Sequence, residues 1–97
     1  MKPRKVILAT NRRYSEQYEP LLEELFNRRI ELFCTWGTHC EQWESAMDLF
    51  VTDPDRMEEH HITTTSHVDE SLEDVQNMAS MWVVEGGGRN DVEIIRL

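Results

Sequence analysis

The chain has 97 residues, of which 39% are hydrophobic. That bounds it to one domain, residues 1–97, near the lower end of what folds around a single core. Its 19 acids outnumber its 10 bases, for a net charge of −9, which repels phosphate backbones, disfavours nucleic acid as a partner and favours a basic one.

Two cysteines, Cys34 and Cys40, are too few for a disulfide scaffold. The basic start "MKPRKVILATN" carries an apolar run too short for a signal peptide or a membrane span. The expected compartment is therefore the cytoplasm, with reduced thiols and no membrane partner.

"KVILAT" (Lys5 to Thr10) is an unbroken apolar run ending in a polar turn. It predicts a strand buried on both faces, as in a parallel sheet covered by helices. "SEQYEPLLEELFNRR" then places Tyr18, Leu21, Leu22, Leu25 and Phe26 on one helical face. Ser15 is a candidate cap, or Pro20 marks a later start at Glu19–Pro20. "IELFCTW" (Ile30 to Trp36) is the second strand, with Glu31 suggesting an edge.

"THCEQWESAMDLFV" is the second helix. Thr38 and Glu41 have the spacing of a capping box, and Cys40, Trp43, Met47 and Phe50 form its apolar stripe. Asp53–Pro54 ends it, and Thr52 to Glu59 reads as a polar connection. "HHITTTS" is the third strand, rich in β-branched threonine. A third helix follows, stepping through Val68, Leu72, Val75, Ala79 and Trp82, with Asp69 or Ser71 as cap. Gly86 to Gly88 supply its stop, and "DVEIIRL" (Asp91 to Leu97) is the last strand.

The order β-α-β-α-β-α-β predicts a three-layer α/β sandwich: four mostly parallel strands with three helices over both faces. The flavodoxin-like strand order 2-1-3-4 is favoured, because it makes the first strand central. The Rossmann-like alternative, 3-2-1-4, puts the polar third strand at an edge. An edge strand also leaves a homodimer open.

Ligands of open parallel sheets bind beyond the carboxyl ends of the strands, at the switch point. In the 2-1-3-4 order that crevice collects Asn11, Arg12, Arg13, Thr64, Thr65, Ser66, His67 and Asp69. Asn11, Arg12, Arg13, Thr65 and Ser66 are the candidate ligand-binding residues. His67 is the candidate base, Asp69 its orienter, and the two arginines are anion clamps. Equally, the Thr, Ser and Asp of "TTTSHVDE" (Thr63 to Glu70) serve a strand end and a helix cap.

The residue types leave three further chemistries to consider. Cys34, His39, Cys40, His67 and Asp69 map toward one end of the sheet, but no C-x-x-C pair makes a zinc site, so neither metal nor cofactor is expected. Cys40 begins a helix, where a thiolate is favoured, and His39 or His67 would be its base; it also fits the apolar stripe. The helices carry many acids, among them Glu41, Glu44 and Asp48, with Trp36 and Trp43 nearby. Such a face steers a basic protein partner and then anchors it.

The pattern "YEPLL…LFCTWG…CEQWESAMD…ITTTSHVDESLEDV", from about Tyr14 to Val75, resembles a family of small bacterial proteins whose domain has no assigned function. That resemblance implies a bacterial α/β domain and carries no catalytic residues. "WESAMDLF" before an acidic segment also resembles, more loosely, the barstar type of nuclease inhibitor, although a full strand precedes this helix here. The leading expectation is a non-enzymatic binding protein, an inhibitor or immunity-type antitoxin for a basic partner. The alternative is small-molecule or metal-dependent activity at the strand-end crevice.

Overall fold

In the computed structural model, residues 2–84 and 91–97 are described. Four strands, β1 (Lys5–Ala9), β2 (Leu32–Trp36), β3 (Thr63–His67) and β4 (Val92–Arg96), form one sheet in the order β3-β2-β1-β4. All three pairings are parallel. The observed order is thus 3-2-1-4, and the favoured 2-1-3-4 gives way to it.

The physical reason lies in β2 and β3. Leu32, Phe33, Cys34 and Thr35 are all buried, so β2 belongs inside the sheet, and Glu31 falls just before it. Every residue of β3 is only half-buried, as its hydroxyls and imidazole require of an edge.

The chain steps outward from β1 to β2 to β3, then returns across the sheet to β4. Helices α1 (Glu19–Asn27) and α2 (Cys40–Val51) cover one face during the outward steps. There Val6, Leu8 and Phe33 of the sheet pack on Leu22, Leu25, Phe26, Trp43, Met47 and Phe50. On the return, α4 (Leu72–Met81) covers the other face, where Ile7, Leu32 and Cys34 meet Val75 and Ala79. Each fully buried aliphatic or aromatic side chain here contributes about 1.5–3 kcal/mol. The result is the expected three-layer sandwich, with β1 buried throughout.

Local structure departs from expectation at several helix ends. A 3-10 turn over Glu16–Tyr18 precedes α1, so Pro20 sits in the first turn, where its missing N–H costs nothing. α1 closes with Arg29 in the left-handed region (φ 61°), its N–H on Phe26 O and the Ile30 N–H on Leu25 O. This is the Schellman closure, with arginine where glycine is usual.

The Thr38–Glu41 capping box does not form. His39 occupies the cap of α2 without a side-chain bond, because Thr38 turns to Asn11 instead. The polar connection contains a fourth helix, α3 (Pro54–Glu59), capped by Asp53 on the Asp55 N–H. Ser71, not Asp69, caps α4. α4 ends at Met81, ahead of Gly86 to Gly88, which lie outside the described residues. No helix among the described residues is long and apolar enough to cross a membrane.

Candidate functional site

Loops after β1, β2 and β3 meet at the carboxyl end of the sheet. Gly37 makes their closest approach, at φ 122°, where a Cβ would lie 1.8 Å from the Thr10 carbonyl oxygen. Only glycine admits that contact. Asn11 Oδ1 accepts from the Thr38 N–H (3.2 Å) and hydroxyl (3.0 Å), tying the first loop to the second. A shallow crevice of about 340 Å³ opens beside them, bounded by Asn11, Trp36, Glu41, His67, Asp69 and Glu70.

His67 is held on both nitrogens. Thr65 Oγ1 lies 2.8 Å from Nε2, and Nδ1 pairs with the Glu70 carboxylate. Glu70 is therefore the orienter, a role the sequence reading gave to Asp69. Asp69 sits in the turn with φ 62°, a conformation a short polar side chain tolerates. Its place at the turn exposes it while the i, i+3 spacing brings Glu70 back to the imidazole. Thr65, His67 and Glu70 have the order of hydroxyl, base and orienter. Thr65, however, is not among the residues that bound the crevice.

The remaining candidates scatter, because β2 lies between β1 and β3. Arg12 points to the Tyr18 hydroxyl (3.2 Å), which holds its guanidinium above its ordinary pKa. Arg13 lines a groove along α2. Ser66 faces away from Thr65, across the edge strand, and donates to Glu44 (2.9 Å); Thr64 on the same side donates to Asp48. Cys40 is 1% exposed, so its thiol meets the interior and offers nothing to a substrate. Cys34 is buried on the α4 face, and burial pushes its pKa up. Among the described residues no group of three His, Cys, Asp or Glu is placed to hold a metal ion.

The second feature is the outer face of α2. Its sequence, CEQWESAMDLFV, contains no base. Among the described residues no cation pairs with Glu41, Glu44 or Asp48; arginine pairs lie elsewhere, at Arg4–Glu31, Arg28–Glu93 and Arg29–Glu59. Leu49 stands 76% exposed beside Tyr14 and Ala46 in a groove of about 620 Å³. Trp43, expected as an anchor, is wholly buried; it meets Tyr14 edge-on and Tyr18 at a tilt, and donates to Arg12 O at 2.9 Å. Leu49 takes the exposed place. It sits two positions after Met47 and off the apolar stripe, which was the available signal for it.

A third feature lies at the opposite end of the sheet. Arg4, Arg29, Glu31, His60, His61 and Trp82 bound a cavity of about 640 Å³ at the amino ends of β1, β2 and β3. Sequence reasoning passed over this end because ligands of parallel sheets favour the other one.

Residues 1–84 match the family model of a domain of unknown function, DUF7684, and the chain belongs to that family. No curated protein and no solved structure matches it.

Proposed function

We propose that the chain is a non-enzymatic binding protein that engages a basic protein partner through the outer face of α2. The observation that carries this reading is the exposed Leu49 in a groove with Glu41 and Arg13, on a helix whose acids Glu41, Glu44 and Asp48 pair with no cation among the described residues. An apolar centre within a charged rim is how many interfaces are built: the charges steer the encounter, and the centre holds it. Inhibition of a basic enzyme, as an immunity-type antitoxin in a bacterial cytoplasm, is the form of binding that fits this charge.

Glu44 also holds Ser66, so the test leaves it intact. The immobilised chain and its Glu41→Lys/Leu49→Glu variant are compared for capture of proteins from the source cell, and the affinity of each retained protein is then measured. The expected partner is basic, binds the variant at least about tenfold more weakly, and weakens in roughly 0.5 M salt, where the Debye length is about 4 Å. A partner held equally by both forms, or indifferent to that salt, would falsify the reading.

A second reading places small-molecule chemistry at the carboxyl-end crevice, favoured by the two-sided hold on His67. It expects His67→Ala to abolish ligand binding there while leaving partner capture unchanged.

A further inference from the structure

In a chain of net charge −9, the cavity at the amino ends of the strands gathers two guanidinium groups and two imidazoles; Arg4 pairs with Glu31 on its wall, and Arg29 with Glu59, which does not line it. Its volume, about 640 Å³, falls within the range of small-molecule sites.

Cations at this end have one ordinary use. The helices end here, and their carbonyls attract positive charge. Lys5 is used in that way, on the carbonyls that close α4. Arg29 is used so in part: Nη1 donates to Phe26 O (3.2 Å) and Nη2 to Glu59. His60 donates from Nε2 to Ile30 O (2.6 Å), which leaves Nδ1 free of that bond.

Helix ends do not account for Arg4 or His61. Arg4 gives one N–H to Glu31 (3.2 Å), and a guanidinium has five. His61 is exposed at the cavity wall. Arg29 moreover stands at a left-handed position that glycine would fill with less strain. Trp82, half-buried, completes the wall with a large flat ring.

We propose that this cavity binds a small organic anion carrying a planar ring: its carboxylate or phosphate between Arg4 and Arg29, its ring against Trp82. Arginine suits such groups because its planar fork meets two oxygens at once. α1, α2 and α4 run toward this end and begin at the other, and the short α3 has its first turn capped by Asp53, so side chains supply the positive charge. The site is separate from the α2 face, and neither proposal depends on the other.

The test follows backbone amide signals of the full chain by NMR during titration with adenosine monophosphate, 4-hydroxybenzoate and neutral adenosine. Either anion is expected to move the Arg4, Glu31 and Thr63 amides saturably, and which one does so identifies the head group. Arg29→Gly suits the left-handed backbone and removes one guanidinium, together with its Glu59 pair and its place over the Phe26 ring; it should raise the dissociation constant at least about tenfold while the amide spectrum stays that of the folded chain. Arg4→Gln should do the same. The proposal is overturned if neither anion moves those amides, if adenosine binds as tightly as the monophosphate, or if both variants bind like the parent.

Discussion

The ammonium of Lys5 donates to the Ala79 carbonyl at 2.6 Å, joining the first residue of β1 to the last turn of α4. It also reaches Ser80 O (3.3 Å) and Trp82 O (2.8 Å). A fully buried lysine has thus become the cap of a helix whose own sequence offers no base in its last turn. Lys5→Met preserves volume and orphans those carbonyls. It should destabilise the fold by about 2–4 kcal/mol, measured by urea denaturation. Burial lowers the Lys5 pKa. The folded state therefore sheds this proton earlier than the unfolded one, and Lys5 adds stability as pH rises toward its unfolded value. That alkaline increment should vanish in Lys5→Met.

Gly37 fixes the junction of the β1 and β2 loops. Alanine there meets the Thr10 carbonyl oxygen at 1.8 Å and inherits a φ of 122°. Backbone must move, since the obstacle is not a flexible side chain. The expected cost of Gly37→Ala is at least about 3 kcal/mol, a loss of roughly 12 °C or more in Tm for a domain of this size. A Tm within a few degrees of the parent would show that the loops yield more easily than their packing implies.

Alternation of apolar runs and helical stripes was enough for the α/β sandwich, because burial on one or two faces writes itself into the sequence at short range. Strand order was harder. Glu31 looked like the mark of an edge, yet it precedes β2 and pairs with Arg4, and β2 is interior. The hydroxyls of β3 were the better guide to the edge, and they argued for the order that is found. The site suffered from the same ambiguity. Asn11 and His67 do line one crevice, but Arg12 and Arg13 turn away, because β2 separates β1 from β3. Contacts such as Lys5 with α4, or Glu70 with His67, depend on where side chains reach after folding, and periodicity carries no record of that.

The polar run of β3 is explained largely by α2. Ser66 donates to Glu44 at 2.9 Å, and Thr64 donates to Asp48, one helical turn on. These two bonds hold an edge strand that has little apolar surface of its own. Glu44→Ala should cost about 1–2 kcal/mol, and Thr64→Val with Ser66→Ala should cost a similar amount. Amide exchange is the sharper readout. Protection should fall in β3 well before β1, since β1 is buried and β3 is not. Equal loss in both strands would mean that β3 unfolds only with the whole domain.

Cys34 gives the opposite pH signature to Lys5. It is buried in β2 on the α4 face, and burial raises its pKa; the hydrogen bond from Thr65 and the nearby Lys5 oppose that shift without cancelling it. In the unfolded chain the thiol ionises near pH 8.5. Above that value the folded state keeps a proton the unfolded state has lost. Stability from Cys34 is therefore complete below the unfolded pKa and declines as pH rises toward the folded one. Cys34→Val removes the ionisable group and nearly keeps the volume. Denaturation from pH 7 to pH 10 should show the parent losing stability relative to this variant by up to about 1.4 kcal/mol per pH unit. Parallel curves would mean that the thiol is as ionisable in the core as in water, and that Thr65 and Lys5 cancel the effect of burial.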